Sequence, residues 1–293
     1  LQIRSHADVE DAWRKFAMND ALDGVRNHYR ATGLNERLKT ALAVFGPEDQ
    51  RLTPQQLGAL DHFHTSGLAA TVELAKLAGI TADMSVLDVG SGVGGPARFL
   101  AATCGCRVTG VDLSEPFVDA ARYLTERTGQ SGQVAFHAAS ALELPFDDGA
   151  FDAVFLQHVA MNISDRARLY REIRRVLKRG GRFATFDVVS KTAELHYPVP
   201  WARTAATSFL LTAAATREAI EQAGYRVLVW QDDTEAAKVW IARLRASGPP
   251  PSPNLGVVMG SDFAELFANL GRNLMEGRIG ILTAVFEAAS MNR

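Results

Sequence analysis

The sequence predicts an α/β fold, a parallel sheet covered by helices on both faces with further helices outside it. Two observations carry this. Short apolar runs alternate with helix-length amphipathic stretches between Ser85 and Val189. A glycine-rich bridge, VLDVGSGVGGPARFL (86–100), joins the first apolar run to the first helix of that series. With 293 residues, 47% of them apolar, the chain can bury the core of one large domain or of one domain with a cap.

The elements follow in order. Residues 6–48 read as helical, with apolar residues at mixed three- and four-residue spacing: Val9, Trp13, Phe16, Leu22, Val25, Leu34, Leu38 and Leu42. LTPQQLGALDHF starts a helix on the N-cap Thr53, with Pro54 in its first turn. TSGLAATVELAKLAGI continues as a helix that closes on Gly79. SVLDVG (85–90) is a first strand, GPARFLAAT a helix and RVTGVDL (107–113) a second strand. SEPFVDAARYLTERTG is a helix with Ser114 as cap. QVAFHAAS and FDAVFLQHV are strands three and four. SDRARLYREIRRVLKRGG is an amphipathic helix ended by glycine, its basic run a solvated face, and GRFATFDVV is strand five. After Val189 the alternation loosens. SKTAELHYPVPWARTAATSFL reads as a loop, TREAIEQAG as a helix and YRVLVWQDD as strand six. Residues 234–276 are mostly helical, broken by SGPPPSPN, and RIGILTAVFEAA is a seventh strand.

Composition narrows the function. A formal net charge of −2 gives no basic surplus for a nucleic-acid partner. No apolar run reaches the roughly 18 residues of a membrane span. The opening LQIRSHADVEDAWRKF is crossed by charges and is not a signal peptide. Cys104 and Cys106 read as small buried hydrophobes in a reducing, cytoplasmic protein, and two thiols one residue apart build no zinc site. No metal is expected, and a homodimer is left open.

In open α/β sheets ligands gather at the carboxyl ends of the strands, where the glycine bridge lies. Gly90-x-Gly92-x-x-Gly95 satisfies the dinucleotide spacing, and Asp112 ends the second strand in place for ribose hydroxyls, so an NAD-dependent dehydrogenase is one reading. Three features weigh against it. Asp88 would repel a pyrophosphate but suits an ammonium or sulfonium group. Ser140 and the backbone of Ala141, in SALELPFDDGAFDAVF, suit an adenine edge. No hydride-transfer constellation follows. A P-loop is excluded by the missing Gly-Lys-Ser/Thr.

VLDVGSGVGGPARFLA, VTGVDLS, LELPFDDGAFDAVF and RVLKRGGRFATFDVV resemble the successive motifs of class I S-adenosylmethionine-dependent methyltransferases, over roughly residues 60–232. GVGGPAR is similar to the branch with sarcosine/dimethylglycine, sterol, tocopherol and ubiquinone-type members. The resemblance implies a Rossmann-like, seven-stranded, mostly parallel sheet with its last strand antiparallel, helices on both faces and a helical cap. It implies an N-terminal helical cap segment at 1–55, a cofactor-binding core at 56–233 with an acceptor loop at 190–210, and a helical insertion plus last strand at 234–293.

The site residues it implies are these. Asp88, Gly90, Ser91 and Gly92 would line the methionine end of the cofactor, Asp112 would accept both ribose hydroxyls, and Leu113 would pack on adenine. Ser140 stands where the family commonly has Asp, and Ala141 follows it. His64, Thr65 and Gly67 of DHFHTSG are candidates for the methionine carboxylate. Gln157 joins the cofactor set, and His158 is the catalytic candidate, a base for an acceptor that arrives protonated. Met161, Asn162, Tyr197 and Trp201, with His196 beside them, are candidates for the acceptor wall, and Asp187 for a further pocket role. The implied activity is methyl transfer from S-adenosylmethionine, leaving S-adenosylhomocysteine, to a small-molecule acceptor. A small polar or amine metabolite is favoured. The alternatives are a lipidic or aromatic C- or O-acceptor, and a non-catalytic S-adenosylmethionine-binding protein.

Overall fold

The structure is a computed structural model and describes residue 24 and residues 32–192, 194–248 and 253–289. Val9, Trp13, Phe16, Leu22 and Val25 of the helical reading of 6–48 lie outside the described residues, as does part of SGPPPSPN. Seven strands form one sheet: β1 (Ser85–Val89), β2 (Arg107–Asp112), β3 (Val134–Ala138), β4 (Phe151–Gln157), β5 (Leu177–Ser190), β6 (Tyr225–Asp232) and β7 (Ile279–Ala288), in the order β3-β2-β1-β4-β5-β7-β6. β1 to β5 pair in parallel, and β7 runs antiparallel between β5 and β6. Strand order therefore reverses between β1 and β4, where an open sheet holds its ligand.

Both faces of the sheet are buried along β4 and the second half of β5, and the residues there are mostly apolar. Side chains alternate between the faces. Ala153, Phe155, Ala184 and Phe186 join one apolar cluster, with Leu74 and Ala78 of α3 (Leu68–Ala78) and Leu100 of α4 (Gly95–Cys104). Val154, Leu156 and Phe183 join the other, with Leu169 and Ile173 of α6 (Arg166–Val176) and Ile220 of α7 (Ala213–Gln222). A third cluster packs Leu34, Leu38 and Leu42 of α1 (Leu34–Leu42) and Leu57 and Leu60 of α2 (Pro54–Asp61) on Phe117 and Leu124 of α5 (Glu115–Arg127). Three further helices complete the C-terminal part: α8 (Thr234–Ala246), α9 (Leu255–Met259) and α10 (Phe263–Met275). No helix among the described residues is long and apolar enough to cross a membrane. Cys106 is buried with its thiol on the Leu100 carbonyl at 3.5 Å, and Cys104 is half-buried.

Local chemistry sets the ends. Thr53 and Gln56 form a reciprocal capping box at the start of α2. Ser114 stands at the N-cap of α5, but its hydroxyl does not cap the helix. Asp112 instead accepts from the Ser114 N–H at 2.9 Å. The sequence places the end of α6 at the glycine pair. The helix stops at Val176, because Leu177 turns extended and pairs with Phe151 in the sheet. The basic run is not simply a solvated face. Arg168 donates to the Leu142 carbonyl at 2.9 Å, and Arg175 donates to the carbonyls of Phe146 and Leu144 at 2.7 and 2.9 Å. These arginines hold the 140–148 loop in place.

One buried ion pair joins the end of α2 to α4. Arg98 on α4 donates to Asp61 at 2.6 Å, and the two side chains are 3% and 7% exposed. Arg98 also reaches the Val93 carbonyl at 2.9 Å and Thr125 at 3.2 Å. Gly95 permits the approach, since a Cβ there would sit 2.0 Å from the Asp61 carbonyl oxygen. Removing one member of such a pair leaves an uncompensated buried charge. Asp61→Ala is therefore expected to destabilise the protein by about 3–5 kcal/mol, read as a lower urea midpoint with unchanged slope.

Candidate active site

The chain leaves β1 through a turn that only glycine can make. Gly90, Gly92 and Gly94 have φ of 75, 52 and 84. The N–H groups of Gly90 and Ser91 both donate to the Val111 carbonyl at the end of β2, at 2.7 and 2.9 Å. A Cβ on Gly90 would lie 2.2 Å from a methyl of Val159. Asp112 fixes the loop from the other side. One of its oxygens accepts from Gly92 N at 2.9 Å and the other from Ser114 N at 2.9 Å. The Leu113 N–H also bonds the carboxylate, which keeps some acceptor capacity for a ligand.

A cavity opens at this edge. From the β1–β2 side it is lined by Asp88, Gly90, Ser91, Gly92, Asp112 and Leu113, and from the 140–148 loop by Ser140, Ala141 and Leu142. From β4 onward come Gln157, His158, Met161, Asn162 and Ile163, and His64 and Phe63 close it from the segment after α2. Pro200, Trp201, Met259 and Leu270 complete the wall. Ser140 Oγ accepts from Leu142 N at 3.2 Å, which leaves its hydroxyl hydrogen unspent.

Five residues named from the sequence, Thr65, Gly67, Tyr197, His196 and Asp187, stand outside this lining. Thr65 turns its hydroxyl to His158 Nε2 at 3.3 Å, and its carbonyl to His64 Nδ1 at 3.2 Å. Gly67 is the N-cap of α3. Tyr197 packs on the core, because paired hydrogen bonds between Val199 and Ala202 make a tight turn that presents Pro200 and Trp201 instead. Trp201 is itself almost fully buried and donates to Ser208 at 2.9 Å. His196 lies on Glu276 at 2.7 Å, outside the lining, and Asp187 holds the backbone N–H groups of Ala160 and Val188 at 3.0 and 2.9 Å. Asp187 thus anchors the turn that carries Met161 and Asn162. The sequence reading missed Asp61, Phe63, Phe117, Pro200, Met259 and Leu270. Phe63 sits within DHFHTSG and was legible there. Met259 and Leu270 carry no motif.

The electrostatics are those of acids kept from water. Asp88 is 2% exposed, and its Oδ2 has no hydrogen-bond donor. Burial, then the nearby Asp112 charge, push its pKa up to about 7. Burial raises Asp112 also, against the N–H bonds that lower it. His158 sits at φ 55 with its ring stacked on Phe186 at 5.2 Å, and burial followed by His64 holds its pKa well below the usual imidazole value. It is a neutral imidazole at pH 7. His64 is lowered to about 4 by burial.

Asp88 has a consequence for stability. Below about pH 7 it keeps its proton in the folded protein, while the unfolded chain ionises at about pH 4. Its contribution therefore falls as pH rises from about 4 to about 7 and is level above that. Asp61, Asp112 and Asp187 are raised in the same sense. In the ligand-free protein Asp88→Asn is expected to flatten part of this slope, measured as urea midpoints between pH 5 and 8.

Residues 87–185 match a family described as a methyltransferase domain. Over 114 residues the chain is 40% identical to a sterol 24-C-methyltransferase of Gibberella zeae, a match covering 39% of this chain and 30% of that one. Over 105 residues it is 39% identical to a sarcosine/dimethylglycine N-methyltransferase of Halorhodospira halochloris, covering 36% and 38%. The chain thus spans about a third of the length of these curated relatives. The fold is shared with a geranyl diphosphate C-methyltransferase of Streptomyces coelicolor A3(2), solved with Mg2+, geranyl-S-thiolodiphosphate and S-adenosyl-L-homocysteine. That likeness has a TM-score of 0.66 at 18% identity and covers 92% of this chain and 98% of that one. Residues 87–185 thus match a methyltransferase-domain family, and they lie in a seven-stranded fold that the chain shares with a methyltransferase of known structure.

Proposed function

We propose that the protein transfers the methyl group of S-adenosylmethionine to a small, uncharged, largely apolar acceptor. The observation that carries the first half is the pairing of a glycine cradle with acids that lack cations. The donor chemistry of the site fits the cofactor. Asp88 Oδ2 and Ser91 Oγ are buried without a partner, and Asp112 ends β2 beside the loop. A carboxylate at Asp88 opposes a pyrophosphate and favours a cation. Asp88, Ser91 and Gly92 would hold the methionine end, Asp112 the ribose hydroxyls, and Leu113 with Ser140 and Ala141 the adenine. Bound there, S-adenosylmethionine supplies a methyl group made electrophilic by its sulfonium.

The protein's own part is orientation, exclusion of water and one proton. The buried walls hold the acceptor against the methyl group and keep water out. His158, neutral and backed by Phe186, accepts a proton from an acceptor that arrives with one. Its left-handed backbone conformation is the kind of local strain that functional sites retain.

The acceptor side favours the lipidic or aromatic reading over the small polar amine. Met161, Ile163, Pro200, Trp201, Met259 and Leu270 line it, and no Lys or Arg lines the cavity among the described residues. Sulfur and aromatic surface suit an apolar body or a developing cation. The absence of a lining cation gives an anionic headgroup no partner. The free thiols of Cys104 and Cys106 are consistent with a cytoplasmic setting.

Thermal melts with S-adenosylhomocysteine, NAD and NADP at equal concentration test the reading. S-adenosylhomocysteine at a hundred times its Kd is expected to add about 2.7 kcal/mol. Stabilisation by NAD alone would reverse the assignment. Asp112→Ala is expected to weaken S-adenosylhomocysteine roughly 30- to 1,000-fold, the loss of a two-bond contact to ribose, with the fold intact. Unchanged affinity in calorimetry removes Asp112 from the site.

A further inference from the structure

We infer that Thr65 is the positioning residue of His158: its hydroxyl oxygen takes the proton on Nε2 and leaves Nδ1 as the ring atom that meets the acceptor. This rests on the methyl-transfer reading above. Thr65 Oγ1 lies 3.3 Å from His158 Nε2, although the two residues are far apart in the chain. Thr65 is 1% exposed, so water does not compete for the contact. Two strained turns meet there. Ser66 and His158, at φ 61 and 55, are the residues other than glycine with a left-handed backbone among the described residues. One follows Thr65 and the other carries the ring. A side chain with a Cβ resists that conformation, so the surrounding structure imposes it at both positions. The two strains together bring one hydroxyl to one edge of one imidazole.

The ring is held on its other sides as well. Phe186 stacks on its face at 5.2 Å with 9° between the planes, and His158 N donates to the Phe186 carbonyl at 2.8 Å. His64 stands edge-on at 6.0 Å. His158 lines the cavity, and its Nδ1 has no hydrogen-bond partner among the described residues. His64 is no rival base, since its Nδ1 donates to the Thr65 carbonyl at 3.2 Å and its Nε2 faces Thr71 and Gln157 at 3.1 and 3.2 Å. A base at Nδ1 needs its lone pair there, so the neutral ring must carry its proton on Nε2. That proton stays on Nε2 after the transfer. A hydroxyl oxygen accepts it in both states. The proton of an acceptor X–H passes to Nδ1. The X–H electron pair stays on X and forms the bond to the methyl carbon, while the pair of the S–C bond leaves with sulfur. The ring becomes an imidazolium in a place where burial disfavours charge, and its Nε2–H bond to Thr65 strengthens as that charge develops.

The test reads the ring itself and needs no acceptor. It is heteronuclear NMR of protein labelled at the histidine ring nitrogens, with S-adenosylhomocysteine added, the His158 signals assigned by their loss in His158→Asn. The wild type is expected to show Nδ1 as a bare nitrogen and Nε2 as an N–H. Thr65→Val keeps the shape and loses the oxygen, and is expected to move Nδ1 from the bare toward the protonated position. Thr65→Ser is expected to restore the wild-type spectrum. Affinity for S-adenosylhomocysteine in calorimetry is expected to stay within about twofold in both variants. A merely structural role lowers the urea midpoint of Thr65→Val and leaves the tautomer where it was. Where Thr65→Val does not fold, Thr65→Ala carries the same comparison. A proton on Nδ1 in the wild type, or an unchanged spectrum without the hydroxyl, overturns the inference. So does an affinity loss that Thr65→Ser repairs, which makes Thr65 a cofactor contact. A wild type that binds no S-adenosylhomocysteine sinks the methyl-transfer reading instead, and the ligand-free spectra still decide the tautomer.

Discussion

The cavity depends on one carbonyl. Val111 O, at the end of β2, receives the N–H groups of both Gly90 and Ser91 and so bends the chain sharply as it leaves β1. A β-strand ends with its backbone groups pointing along the sheet, and this double bond turns the next residues across the strand ends instead. The turn needs φ values that a Cβ resists, and Gly90 has Val159 where its Cβ would be. Asp112 then closes the arrangement by accepting from Gly92. On the proposed function, the acid that would hold the ribose is also the brace of the glycine loop, so substitutions there are read as ligand contacts only with the fold checked.

The second constraint is desolvation. The site holds Asp61, Asp88 and Asp112 in one cavity wall, and each has its pKa raised by burial. Among the described residues, Asp61 alone of the three has a cation, Arg98. The fold uses that pair to press the end of α2 onto α4, and leaves the other two acids without a charge partner. Buried polar groups without partners cost about 1–3 kcal/mol each, so the ligand-free site is held in an unfavourable state by the packing around it. A cationic ligand relieves this, and part of its affinity is then the removal of a penalty already built into the protein.

The sequence carried the sheet well, for a physical reason. Strands buried on both faces are apolar throughout, and the helices between them carry caps and stops that read locally. The glycine loop, Asp88 and Asp112 were equally legible, because backbone geometry and charge sit within a few residues of each other. The failures are of another kind. Val176 ends its helix because Leu177 finds a partner in Phe151, a contact across the sheet that no window around the glycine pair reveals. Thr65, Gly67 and Tyr197 lie one to three residues from lining residues in the chain, and the local turns of the backbone decide which side chain faces the cavity. His64 reads as a ligand contact in isolation, and both its ring nitrogens are spent inside the protein.

The two sides of the cavity have different origins. The β1–β2 half is made by consecutive residues at strand ends, so its geometry is fixed by the sheet register. The acceptor half is assembled from far apart in the chain: the turn at Met161, the Val199–Ala202 turn, Met259 at the end of α9 and Leu270 on α10. Asp187 and Arg166 join parts of that assembly by hydrogen bonds. Asp187 holds Ala160, and Arg166 holds the Phe209 carbonyl while Phe209 N returns to Met161 O. These bonds hold the backbone of the turns, through two side chains and one backbone pair, and make no demand on the side chains facing inward. Met161, Trp201 or Met259 can therefore change in size and polarity while the turns stay where they are. The cofactor half tolerates no such freedom, because its ligand-facing groups are the turns themselves.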